Sequence, residues 1–354
     1  MPSPDSSEAP PLGRLSAAIA DLFPGYFALV MATAIVSIAS HLLGWPRVAA
    51  ALLVVNVPAY GLLVALTLAR LVLFPRRLAA DFADHARGSG YFTIVAGTCV
   101  LGSQCLLVTG WRGAAEALLA GGIALWVLVM YTFFTAVIVR EKKPTLEQGI
   151  NGAWLLATVA TQSVALLALT LRDPFGWPAD AVGFGAVVFF LIGCMLYLAI
   201  ITLIFYRFTF LPLATAALTP PYWINMGAVA ISTLAGASLV LARERSQLLT
   251  DLSPFLRGFT LFFWAAGTWW IPLLVLLGVW RHVVRRHPLA YDPQYWGMVF
   301  PLGMYTAATF RLSEALPFAP LAGIAQAFYP VALFAWFATS IGLVRQAFTR
   351  PNTR

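Results

Sequence analysis

The stretch VGFGAVVFFLIGCMLYLAIITLIFY, residues 182–206, runs for 25 residues without a charge. At about 1.5 Å per residue, a helix of that length crosses roughly 30 Å of hydrocarbon. A second stretch, FTLFFWAAGTWWIPLLVLLGVW at 259–280, has the same character. Working outward from these, 60% of the 354 residues are hydrophobic and only 10% are charged. A soluble domain of this size needs far more charge to cover its surface. The fold class is therefore an all-α polytopic membrane protein.

Hydropathy divides the chain into ten expected spans, at about 22–43, 47–73, 90–109, 113–139, 150–171, 179–207, 222–242, 254–280, 295–315 and 318–347. Links after spans one, three and nine are only a few residues, such as Gly44-Trp45-Pro46, whereas loops after even spans are longer and basic. This rhythm predicts helical hairpins. The domain reading is a disordered cytoplasmic tail at 1–15, a membrane domain at 16–347 and a short cytoplasmic tail at 348–354. The Pro- and Ser-rich start has no cleavage pattern, so the first apolar run is expected to act as an uncleaved insertion signal.

Basic residues near spans are retained in the cytoplasm. Fifteen Lys and Arg fall on one side, among them Arg70, Arg140, Lys142, Lys143, Arg207 and Arg281. Six fall on the other: Arg47, Arg112, Arg172, Arg243, Arg245 and Arg257. That places both termini in the cytoplasm of a cell-membrane protein. It also accounts for the net charge of +8 without a nucleic-acid partner; contact with anionic lipid is an additional expectation.

The odd spans open alike, with Gly25-Tyr26-Phe27, Gly90-Tyr91-Phe92, Gly152-Ala153-Trp154, Pro221-Tyr222-Trp223 and Gln294-Tyr295-Trp296. Interfacial aromatics would explain any one of these starts, but not their restriction to odd helices. Five hairpins of one orientation predict a ring. The odd spans, shorter and richer in small and polar residues, are its inner members. Candidates to line an anion path are Thr33, Thr98, Gln104, Gln162 and Thr306. The two glutamines are equally suited to bridging helices.

Charge inside a span is costly and draws functional attention. Arg311 and Glu314 lie three residues apart on one face of span nine. They could attract anions at a pore mouth, or form a local ion pair that fixes the helix end. His41 sits at an interface, where a bland role is the simpler one. Phe300 and Pro301 fall early in span nine, where a proline can kink the helix. Cys99, Cys105 and Cys194 lie in apolar runs without His or carboxylate neighbours, so no metal site is expected. No nucleotide-binding, dinucleotide or zinc motif is present in the sequence, so neither an enzyme nor a cofactor is expected.

FPGYFALVMATAIVS at 23–37, NGAW at 151–154 and YWGMVFPLG at 295–303 resemble the tellurite-resistance/dicarboxylate transporter family. That family includes bacterial tellurite-resistance proteins, fungal malate permeases and sulfite pumps, and plant slow anion channels. The resemblance covers nearly the whole chain and implies ten helices as five hairpins in a quasi-five-fold ring around a central pore, assembled as a homotrimer. It further implies that Phe300, beside Pro301, occludes the pore. The sequence departs from the pattern in having a mid-helix proline in only one inner span; Gly97, Gly102 and Gly227 offer alternative flexibility. The implied function is efflux of small anions or C4-dicarboxylates such as malate. A proton-coupled carrier using Glu314 or His41 is the first alternative, and a non-transporting scaffold or sensor the second.

Overall fold

The computed structural model describes residues 13–349. The expected tails at 1–15 and 348–354 lie outside these residues, except for inner ends that belong to the helices Arg14–Ala20 and Pro320–Thr349. Among the described residues all regular structure is helical. The long helices are α1 (Ala28–Leu42), α2 (Pro46–Leu73), α3 (Phe92–Thr109), α4 (Arg112–Val139), α5 (Leu156–Leu171), α6 (Ala179–Phe210), α7 (Ile224–Leu241), α8 (Gln247–Val279), α9 (Trp296–Ala315) and α10 (Pro320–Thr349).

Local chemistry sets several boundaries. Pro46 occupies the first turn of α2, where its missing N–H costs no hydrogen bond. Gly110 ends α3 at φ 71°, a left-handed conformation that glycine adopts without a Cβ clash. Nine helical segments are long and apolar enough to cross a membrane among the described residues. They establish a multi-pass membrane protein. The helix α9 is not one of them, because Gly, Pro, Tyr and Thr residues along it, with Arg311 and Glu314 near its end, lower its apolar character.

Each odd helix packs against the even helix that follows it. The odd helices also pack on one another: α1 on α3, α3 on α5, α5 on α7, α7 on α9, and α9 back on α1. Burial divides the two sets. In α1, α3, α5 and α7, with the short turns leading into them, between 72% and 89% of the apolar window is buried, against 22–39% in the even helices. Fifteen of the 20 residues of α9 are buried too. The even helices instead present Val54, Leu62, Phe184, Met195 and Phe334 outward, as lipid-facing surfaces do.

Two boundaries differ from expectation. The eighth span begins at Gln247 rather than at 254, because Pro254 lies inside the helix instead of ending it. The segment from Pro75 to Ser89, read as a loop, contains the helix Pro75–Phe82. Asp81 at its end pairs with buried Arg70 at 2.8 Å and with Arg87 at 2.9 Å, which fastens the helix under α2.

Candidate functional site

Every odd helix is entered through a short 3-10 turn: Pro24–Phe27, Gly88–Tyr91, Gly152–Leu155, Pro220–Trp223 and Pro293–Tyr295. These are the repeated aromatic starts of the sequence. Asn151 and Asp292 cap two of the turns, each side chain accepting the N–H two residues on at 2.8 Å. The turns touch in order, first to second and onward, and the fifth meets the first. Glycine makes this possible: a Cβ on Gly152 would overlap the Pro221 carbonyl, and one on Gly90 would lie 3.0 Å from the Gly25 nitrogen.

Arginines at the ends of even helices tie neighbouring turns together. Arg70 donates to the Leu22 carbonyl at 2.9 Å and to the Tyr91 hydroxyl at 3.2 Å. Arg207 donates to the Ile150 carbonyl at 2.7 Å and to the Tyr222 hydroxyl. Arg281, just beyond α8, donates to the Leu218 carbonyl. Leu22, Ile150 and Leu218 each stand two residues before a 3-10 turn, so the carbonyl contact repeats from one helix pair to another. For Arg70 and Arg207 the tyrosine reached belongs to the next pair.

Two clefts lie at opposite ends of the odd helices. At the end with the helix N termini, a cavity of about 500 Å³ is bordered by Ala28, Met31, Thr93, Leu156, Ile224 and Gly297. At the other end, a narrow cleft of about 40 Å³ is bordered by Ile35, Val100, Ser163, Leu234 and Met304 among others. It adjoins a wider one of about 400 Å³, with Leu107, Thr170, Ser238 and Arg311 common to both.

The residue numbers show that one face of each odd helix borders both ends. On α1, positions 28 and 31 border the large cavity and 35, 38 and 42 the narrow cleft. On α5, 156 is followed by 163, 166 and 170, and on α9, 297 is followed by 304 and 311. Steps of three, four and seven keep a single helical face. Phe300 falls on that face of α9, between Gly297 and Met304, and is fully buried. The corresponding turns of α3, α5 and α7 hold Ala96, Ala160 and Ala228, all buried. From Gly297 to Met304 the helix rises about 10 Å.

The sequence-derived candidates are placed as follows. Pro301 packs on α7, where a Cβ on Gly227 would be 2.6 Å from the proline ring. Gln104 accepts from Asn56 of α2 at 2.8 Å, and Gln162 donates to the Phe190 carbonyl of α6 and to Ser232 of α7. Both therefore bridge helices. Thr33 accepts from Trp336 of α10 at 3.0 Å, Thr98 bonds Tyr60 at 2.9 Å, and Thr306 donates to its own helix at Leu302. None of these five borders the clefts described above. The hydroxyls that do are Thr93 and Thr219 at the large cavity and Ser103, Ser163, Thr170 and Ser238 at the opposite end. The signal that finds them is helical register with Phe300-level residues, not polarity alone. Arg311 and Glu314 pair at 2.6 Å and border the 400 Å³ cleft together.

Compared with known families, the sequence matches the model described as voltage-dependent anion channel (SLAC1) over residues 21–344. The chain belongs to this family. A relative in Methanocaldococcus jannaschii, described as an uncharacterized transporter, is 25% identical over 94% of this chain and 95% of its own length. A sulfite efflux pump of Arthroderma otae is 24% identical over 84% of this chain and 83% of its own. An uncharacterized membrane protein of Mycobacterium tuberculosis is 40% identical over 42% of this chain and 75% of its own. The family is one of channels and transporters, which agrees with the absence of enzyme motifs from the sequence.

Proposed function

We propose that the chain conducts small anions across the membrane through a pore enclosed by α1, α3, α5, α7 and α9 and occluded by Phe300. The observation that carries this reading is the single face of each odd helix that borders a cleft at both ends, interrupted at the level of Phe300. There α3, α5 and α7 offer Ala96, Ala160 and Ala228, so one phenylalanine can fill the space beside them and its rotation can open it. In this reading all ten long helices cross the bilayer as five hairpins in a quasi-five-fold ring. The even helices face lipid or neighbouring copies in a homotrimer, and both termini are cytoplasmic.

The physical basis for anion preference is modest charge and favourable dipoles. Five helix N termini converge on the 500 Å³ cavity, and each carries roughly half a positive charge. The occluded layer is apolar, so permeation requires dehydration, and weakly hydrated or well-compensated anions are favoured. A negative-inside potential of 100 mV drives a monovalent anion outward by about 2.3 kcal/mol, which makes efflux the natural direction. Sulfite, chloride, nitrate and malate are the solutes to compare.

The test is flux of these four anions from liposomes holding the purified protein, under an imposed membrane potential and separately under a proton gradient. Flux through such a pore follows the potential and ignores the proton gradient. Movement of malate alone, and only with a proton gradient, would replace the pore with a coupled carrier. No flux of any of the four would favour a non-transporting role.

A further inference from the structure

The 400 Å³ cleft at the end opposite the helix N termini is bordered by Arg172, Arg245, Arg311 and Glu314. Glu314 neutralises Arg311 at 2.6 Å. Among the described residues, Arg172 and Arg245 have no carboxylate partner. Arg245 makes only a long bond, at 3.4 Å, to the Leu169 carbonyl. Two uncompensated positive charges therefore share one cleft. Burial, and after it the charge of Arg172, push the Arg245 guanidinium below its ordinary value, which marks the two as mutually repelling. Arg172 is also held at φ 72°, ψ −54°, a costly backbone conformation for a residue with a Cβ. Arg311, Thr170 and Ser238 continue from this cleft into the narrow one that reaches Ile35 and Met304.

We propose that this vestibule is a binding site for small divalent oxyanions, held between Arg172 and Arg245 and exchanged past Arg311 with the pore. The exchange step rests on the pore reading above; the binding step does not. A dianion compensates both arginines at once, whereas a monovalent anion leaves one repulsion unrelieved. Glu314 sets the strength of the site, because it withholds the third arginine.

The experiment is calorimetric titration of the full-length protein in neutral detergent with sulfate and with chloride, at constant ionic strength, beside liposome flux of both ions. Sulfate is expected to bind at least about tenfold more tightly than chloride. Coulomb energy is proportional to ligand charge, so Arg172→Gln or Arg245→Gln should weaken sulfate about tenfold and chloride about threefold. Arg257→Gln, which does not border the cleft, should change neither. Glu314→Gln should tighten sulfate binding, a gain that misfolding cannot produce. Equal binding of the two anions, or equal effects of Arg172→Gln and Arg257→Gln, would overturn the proposal. Sulfate binding without flux of any anion would refute the pore and uphold the vestibule. Flux without sulfate binding would do the reverse.

Discussion

At Gly227 there is no room for a side chain. An added Cβ would stand 2.6 Å from the ring of Pro301 and 3.2 Å from its Cα, neither of which can swing away. Gly227→Ala should lower stability by about 1–2 kcal/mol. Overpacking costs about 1–3 kcal/mol, and the gain of up to about 1 kcal/mol from replacing glycine in a helix only partly offsets it. Thermal unfolding in detergent checks this; an unchanged or raised midpoint would show that α7 and α9 are not wedged at this point. Residue-level legibility in the sequence was uneven. The Arg311–Glu314 pair could be read from its i,i+3 spacing, because both partners share one helix. The Asn56–Gln104 and Gln162–Ser232 bonds could not, because their partners are brought together only by packing between helices. The cleft hydroxyls Ser163 and Ser238 became recognisable only once the register of each odd helix was known.

Between elements, the repeated arginine staple makes the clearest prediction. Arg207 is buried, and its partners are a carbonyl of its own helix pair and a tyrosine of the next. Tyr222→Phe removes a buried partner of a charged donor and should cost about 1–3 kcal/mol. A double-mutant cycle with Arg207→Gln should show coupling of at least about 1 kcal/mol, where independent residues would give close to zero. The elements themselves were largely legible: unbroken apolar runs gave the long helices, and the recurring Gly/Pro-aromatic starts marked the five turns that enter odd helices. What hydropathy could not resolve were the edges. Pro254 suggested a helix start but lies within α8, since a membrane helix tolerates a proline whose freed backbone group finds another partner. The helix Pro75–Phe82 was hidden because its hold on the fold comes from Asp81 pairing with an arginine of a different helix.

For the molecule as a whole, the division into buried odd helices and outward-facing even helices has a compositional cause that the sequence displays. Small and hydroxyl-bearing residues in the odd helices permit close approach of five neighbours, and bulky aliphatic and aromatic residues in the even helices suit hydrocarbon. The family match over residues 21–344 agrees with that reading of the chain as one membrane unit. We propose that the buried side chain of Phe300 closes the pore. It is tested most directly by recording currents from wild type and Phe300→Ala in planar bilayers under a chloride gradient. The variant should pass at least about tenfold more current, equivalent to lowering a barrier by about 1.4 kcal/mol or more, with a reversal near the chloride equilibrium potential. Equal or smaller current in the variant, or a reversal potential that follows protons instead of chloride, would contradict it.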